Sequence, residues 1–221
     1  SLYRGETETG ITTMLMNAGM DTGPMLLKAF TPIALLDNAQ TLAERLSQLS
    51  ADLLIDTLQQ LAQQRIQPEP QDDAQATYAP LIQKSDYWLD WSRSAISLHH
   101  QIRGFFPNCT TGLRGDGLKV IASLPLDAEA LALLPSEFES LQNEWAALSL
   151  ADPPQPPGSI VAILKGWGPI VQTGSGYLLL REVQLAGKRP QSGWDFANGT
   201  RLAIDEVLQT PTLPGTATDS N

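Results

Sequence analysis

The chain has 221 residues, 42% of them apolar, and carries 14 Lys and Arg against 24 Asp and Glu, for a net charge of −10. That is enough apolar side chain for one large or two small cored domains, and it excludes a uniformly basic nucleic-acid coat while allowing a local basic face. One cysteine excludes an internal disulfide, the two histidines add no structural zinc set, and no apolar run reaches the roughly 18 residues of a membrane span.

Ile11 to Met16 is a short apolar run suited to a buried strand. A loop with two glycines and a proline follows, 17–24, and Met25 to Ile33 reads as a second strand. Asp37 stands three residues before Gln40, the spacing of a helix capping box. Leu42, Leu46, Leu49, Leu53, Leu54, Leu58 and Leu61 then recur at helical steps to about Gln64, which predicts one apolar face packed in a core. Pro68 and Pro70 end that helix, and the polar run 71–76 marks a domain boundary.

Residues 77–91 read as a linker. Ser92 is placed to cap a helix running to about Arg103. Strand-like runs follow at Thr110–Arg114, Leu118–Ser123, Ser159–Leu164, Pro169–Thr173 and Tyr177–Gln184, separated by glycine turns. Five short strands and one helix predict a small OB-like β-barrel over 92–207. Gly174-Ser-Gly176 reads as a hairpin turn and not a phosphate loop, since no helix follows it. A last helical turn is expected over Ser192–Asn198, ended by Gly199, and a disordered tail over 208–221.

Charge divides the chain unevenly. Ser1–Tyr78 holds 4 basic and 10 acidic residues, and Ala79–Asn221 holds 10 and 14. Within the latter, residues 123–157 carry 6 acids and no base, so the remainder is a mildly basic unit interrupted by an acidic insert. The insert ends in a proline-rich loop, and Ser136–Leu148 is expected to form a short amphipathic helix. Lys84, Arg103, Lys119, Lys188 and Arg189 of the basic unit suit phosphate contacts, although solvated surface charge is the commoner role of such residues, and Arg103 within Ile102-Arg103-Gly104-Phe105 is alternatively structural. The five tryptophans fit packing better than base stacking, and Cys109, with no acid–base partner nearby in sequence, fits a small buried hydrophobe.

Asp21-Thr22-Gly23 lies in the loop between the first two strands. Asp21 can cap nearby amides in an Asx-turn, or carry chemistry. An aspartic protease needs two such carboxylates, and there is no second copy; the leucine-rich helix also suits that all-β fold poorly.

The segment Glu8-Thr9-Gly10-Ile11-Thr12, then Met14 to Gly23, then Met25-Leu26, resembles the folate-site segment of methionyl-tRNA formyltransferases. The likeness continues in order through Ala76-Thr77-Tyr78-Ala79, Lys84, Leu89-Asp90-Trp91, Ile102-Arg103-Gly104-Phe105 and Leu118-Lys119-Val120. It resumes at Pro157-Gly158, Gln184 to Arg189 and Phe196-Ala197-Asn198-Gly199, and the turn Leu164 to Pro169 resembles cyanobacterial members.

The resemblance implies an α/β plus β chain. Residues 1–76 would be the C-terminal portion of a doubly wound, Rossmann-like formyltransferase domain, followed by the linker and the OB-like domain. It implies transfer of a formyl group from 10-formyltetrahydrofolate to the amino group of methionyl initiator tRNA, in translation initiation. The expected partners are that tRNA and the folate co-substrate, with no metal and no membrane, for a cytoplasmic monomer. The family's site combines an Asn-x-His pair with a later Asp. The resemblance places that Asp at Asp21 and the folate contacts at Asn17, Ala18, Gly19, Met20, Asp21 and Thr22. Asn17 stands where many relatives have Asp. The Asn-x-His pair precedes this segment in the family, so the chain reads as N-terminally truncated and inactive by itself. His99 and His100 fall on the later domain's helix and do not replace it.

In such a reaction an amine attacks the formyl carbon and an oxyanion develops, which donors stabilise while a carboxylate helps accept the proton leaving the amine. A sugar-nucleotide amine formyltransferase, a formyltetrahydrofolate hydrolase and a non-catalytic RNA-binding module are the alternatives. The linker and the Ala186-Gly187-Lys188-Arg189 segment favour the tRNA enzyme.

Overall fold

The computed structural model describes residues 1–150 and 154–210. The chain divides into two compact units, one of Ser1 with residues 6–82 and one of Leu2–Gly5 with residues 83–221.

The first unit is a hairpin and a helix. Strand β1 (Glu8–Met14) pairs antiparallel with β2 (Met25–Pro32), with a bulge between Thr12 and Met14. The resemblance implied part of a doubly wound sheet; among the described residues of this unit β1 and β2 pair antiparallel, and Met25 of β2 also forms an antiparallel bridge with Glu69. The following helix, α1, spans Ala39–Ala62. Its cap is Asn38 rather than the expected Asp37. Asn38 Oδ1 accepts from the N–H groups of Gln40 (2.9 Å) and Thr41 (3.0 Å), and the Thr41 hydroxyl accepts from the Asn38 N–H. Asp37 is already engaged, accepting from the Ala34 N–H and from two Arg45 nitrogens at 3.0 and 2.6 Å. Burial pushes the Asp37 carboxyl up, but the Arg45 and Ala34 hydrogen bonds outweigh it and hold the group below the usual carboxylate range.

The leucine stripe of α1 is only partly covered. Leu42 and Leu53 are buried, whereas Leu54 and Leu58 are 51% and 57% exposed. Helix geometry explains the shortfall: successive residues differ by about 100° around the axis, and Leu54 and Leu58 stand next to the buried Leu53 and Thr57, so only one narrow side of α1 is covered. Between hairpin and helix, Thr57 donates to the Leu53 carbonyl (2.6 Å) and its hydroxyl meets that of Thr13 (2.9 Å), which in turn accepts from the Leu27 N–H.

The second unit is built on a mixed-length antiparallel sheet. Helix α2 (Ala95–Gly104) opens it, capped by Ser94, whose Oγ accepts from the Ser97 N–H. Ser92, the expected cap, instead donates its hydroxyl and its N–H to Asp90. The strands are β3 (Thr110–Leu113), β4 (Asp116–Pro125), β5 (Ile160–Leu164), β6 (Gly168–Gln172) and β7 (Tyr177–Leu185). They lie in the order β3-β4-β7-β6-β5, and the short β8 (Gln191–Ser192) adds to β7. Gly174-Ser-Gly176 turns between β6 and β7, where the Thr173 N–H meets the Gly176 carbonyl at 3.1 Å.

The outer strands β3 and β5 do not pair with each other among the described residues, so the ladder is not a closed barrel. The segment 205–209 bonds to both edges. Asp205 and Glu206 exchange hydrogen bonds with Ile160, and Gln209 does so with Gly112. At the start of the expected disordered tail, Leu208 is buried and Gln209 is hydrogen-bonded to Gly112, so the ordered chain runs further than expected; residues 211–221 lie outside the described residues.

Leu98 and Ile102 from α2 meet Leu118, Val120, Leu178, Leu180 and Val183 from the sheet in one buried core. Each fully buried aliphatic side chain of this kind contributes about 1.5–3 kcal/mol relative to exposure. Trp91 is buried there, its indole N–H bonded to Thr111 Oγ1 at 2.9 Å. Cys109 is buried too, and burial pushes its thiol up to about 12, as expected for an inert hydrophobe. Helix α5 (Gly193–Thr200) is capped by Ser192 and ends on Arg201 in the left-handed conformation, two residues past the expected stop at Gly199.

The acidic insert is folded. It contains α3 (Ala128–Ala132), a 3-10 turn at Ser136–Phe138, and α4 (Glu139–Ala146). Phe138 is buried, stacks on Trp167 at 5.4 Å and lies under the Arg181 guanidinium at 4.8 Å, while Trp145 meets the edge of Tyr177. Part of the insert, 151–153, lies outside the described residues.

Candidate active-site loop and basic face

The loop carrying Asp21 begins where the β1–β2 ladder makes its last bond, from the Leu15 N–H to the Pro24 carbonyl (3.0 Å). Between them the chain must reverse in eight residues. Asn17 organises the reversal: its Oδ1 accepts from the Gly19 N–H (3.1 Å) and the Thr22 hydroxyl (2.9 Å). This is the side-chain capping anticipated as one possibility for Asp21, and Asn17 performs it instead.

Asp21 has φ +55°, the left-handed region that favours glycine and that Asp tolerates better than most residues. Holding a non-glycine residue there costs on the order of 1 kcal/mol. Gln71 supplies compensation. Its Nε2 donates to the carbonyl oxygens of Asp21 (2.8 Å) and Gly23 (2.7 Å). Two such neutral hydrogen bonds offset about 1–2 kcal/mol even where solvent competes. Gly23 is required by a close approach: a Cβ there would overlap the Leu15 carbonyl oxygen. The glycines thus serve the packing of the loop on itself, and it is Asp21 that takes the unusual backbone.

What remains free is informative. The Asp21 side chain is exposed and has no hydrogen-bond or ion-pair partner among the described residues. The peptide groups of Ala18, Met20 and Thr22 make no intramolecular bond among those residues, and Met16 and Met20 are 93% and 91% exposed. The loop therefore offers a carboxylate, an edge of backbone donors and acceptors, and two polarizable thioethers, on a backbone pinned by Asn17 and Gln71. The sequence singles out Asp21 and Asn17 as candidates but not Gln71, which sits in a polar run with no pattern of its own.

The five basic candidates separate in the second unit. Arg103 is only 6% exposed on α2, so it stands inside the unit and not on a phosphate-facing surface. Lys84 is exposed on a 3-10 turn, Lys84–Tyr87. Lys119, Lys188 and Arg189 are exposed, and Gln184 links the backbone positions of the first two. Lys119 is paired across the ladder with Gln184, whose side chain donates to the Lys188 carbonyl at 2.7 Å.

Beside them is a cavity of about 330 Å³ lined by Thr110, Gly117, Lys119, Gln184, Leu185, Ala186 and Gly187. Another of about 510 Å³ shares Thr110 and Gly117 and continues along Gly112, Gly115, Asp116 and Gln209. The acidic insert docks at Tyr177, the opposite end of β7 from Gln184. Seven residues of strand put about 23 Å between these two ends, well beyond the screening length of about 8 Å at physiological salt. Among the described residues no group of His, Cys, Asp and Glu could hold a metal ion, and no helix is long and apolar enough to cross a membrane.

Comparison with known proteins gives this geometry its context. Residues 81–201 match the family model described as formyl transferase, C-terminal domain, and residues 1–58 match that described as formyl transferase. A methionyl-tRNA formyltransferase of Trichormus variabilis is 64% identical over 207 residues, which are 94% of this chain and 61% of that protein. One from Trichodesmium erythraeum is 58% identical over 209 residues, 95% of this chain and 62% of that protein. This chain thus spans about three-fifths of the length of these relatives. The structure of HypX from Aquifex aeolicus in complex with tetrahydrofolic acid matches in fold, with a TM-score of 0.62 at 12% identity over 93% of this chain and 32% of that one. With one family model covering more than half of its residues, and a second covering the loop of Asp21, the chain belongs to the formyl transferase family.

Proposed function

We propose that this chain forms part of a methionyl-tRNA formyltransferase, in which Asp21 is an acid–base group of the one-carbon transfer site and the second unit holds the tRNA. The observation that carries the reading is the exposed Asp21 carboxylate, left without an internal partner on a loop whose backbone is pinned at both sides. The 64% identity to the Trichormus variabilis enzyme supports the choice of substrate.

The co-substrate supplies a formyl carbon bonded to nitrogen, open to attack by a neutral amine. Asp21 orients the amine and accepts the proton it loses, a contribution of about 10²–10⁴-fold in rate. The unbonded peptide groups of Ala18, Met20 and Thr22 suit the donor and acceptor edge of a folate's pterin ring, and Met20 suits its face. Asn17, Gly19 and Thr22 hold one another and so set the loop's shape.

In the second unit, Lys119, Lys188 and Arg189 beside the glycine-lined cavities suit backbone contacts with RNA, with Lys84 as an outlying contact. Segment 205–209, bonded to both β3 and β5, favours an OB-like description of this unit, and β1, β2 and α1 suit the C-terminal portion of a doubly wound domain. The test is a formyl-transfer assay of the full-length protein with 10-formyltetrahydrofolate, offering methionyl initiator tRNA and a nucleotide-linked amino sugar separately. Formylation of the tRNA alone is expected; formylation of the sugar alone would overturn the reading.

A further inference from the structure

We infer that Gln71 is a positioning residue for Asp21, an inference that rests on the acid–base reading of Asp21. Gln71 lies 50 residues beyond Asp21 in sequence and reaches the loop because the chain returns along β2 after α1. Met25 and Glu69 exchange backbone hydrogen bonds at 2.7 and 2.8 Å, forming one antiparallel bridge, and Lys28 pairs with Glu69 at 3.6 Å. Two residues beyond the bridge Gln71 has the same strand side, and its amide meets the loop.

The chemistry of the contact is specific. Both carbonyls need a donor, and one NH₂ group has two hydrogens. By drawing the Asp21 and Gly23 oxygens to one nitrogen, Gln71 fixes the peptide plane between Asp21 and Thr22 and the one between Gly23 and Pro24. The direction of the Asp21 side chain follows from the first of these planes and from its left-handed φ. Gln71 touches no reacting atom. Its contribution is angular, and misplacement of a reacting group by about 1 Å costs up to about 100-fold in rate.

The experiment is steady-state formylation of methionyl initiator tRNA by the full-length protein and three variants, Gln71→Leu, Asp21→Asn and the two combined. Gln71→Leu is expected to lower kcat by about 10- to 100-fold, with KM for the tRNA within about twofold. The combined variant is expected to be no slower than Asp21→Asn alone, since a residue acting through another has nothing left to act on. A fourth variant, Gln71→Glu, offers only acceptors to two carbonyls when ionised and regains a donor when protonated. Its kcat relative to the unaltered protein is expected to rise as pH falls from 8 to 5.5, while that of Gln71→Leu stays level. Normal turnover in Gln71→Leu, or losses that add in the combined variant, would overturn the positioning role. Normal turnover in Asp21→Asn would instead overturn the reading of Asp21 itself.

Discussion

The Asn17 side-chain oxygen lies 2.9 Å from the Thr22 hydroxyl and 3.1 Å from the Gly19 N–H, closing a six-residue turn around Asp21 without using the Asp21 carboxylate. Both contacts use Asn17 only as an acceptor. An aspartate at position 17 makes the same two bonds, so Asn and Asp are interchangeable in this role.

That relationship gives the first expectation. Asn17→Asp in the full-length protein should keep formylation within about threefold, while Asn17→Leu, which has no acceptor, should lower it by about tenfold or more. Turnover measured for both variants checks it; equal losses would mean that the amide nitrogen has its own role.

The basic face makes a second. If Lys119, Lys188 and Arg189 each neutralise a tRNA phosphate, changing all three to Gln should flatten the log–log dependence of tRNA affinity on salt by about 2–3 units. Arg103→Gln is the contrast. Because Arg103 is buried, this change should lower stability and leave the salt slope in place. Filter binding over a salt series reads both.

A third concerns acid stability. Burial, and after it the Arg103 guanidinium, lower the His100 imidazole to about 4 from an ordinary value of 6.5. Its ring lies against the backbone of Gly5 and 6.1 Å from the ring of His99. Between about pH 6.5 and 4 the unfolded chain therefore binds a proton that the folded one refuses, and stability falls as pH falls through that window. Asp37 and Glu206, held below their ordinary values, add their own loss at more acid pH. His100→Gln should flatten the upper part of the curve. Urea midpoints at half-unit intervals from pH 7 to 4 measure it.

Much of this architecture is legible in the sequence because periodicity and punctuation are local. The five strands and the turn Gly174-Ser-Gly176 follow from apolar runs broken by glycine. Where two local rules compete, the tertiary partner decides. Asp37 and Asn38 both have a suitable residue three places on, and Arg45, one further turn along α1, takes Asp37 and leaves Asn38 to cap. The period of the α1 leucines is readable, but which of them become buried depends on which side of the helix is covered: Leu53 and Thr57 are buried while the adjacent Leu54 and Leu58 stay exposed. Arg103 is open in sequence to a phosphate-contact or a structural reading, and its burial favours the second. In the candidate site Asp21 is legible through its flanking glycines and its family resemblance, whereas Gln71 depends on a bridge between Met25 and Glu69 that no short-range pattern encodes.

The central claim is that the free carboxylate at position 21 moves or orders a proton during formyl transfer. Single-turnover formylation of methionyl initiator tRNA by the full-length Asp21→Asn protein, with tRNA and folate saturating, tests it most directly. The account predicts a rate lower by about 10²–10⁴-fold with the fold intact by circular dichroism. A folded variant that formylates within a few-fold of the unaltered rate would contradict it.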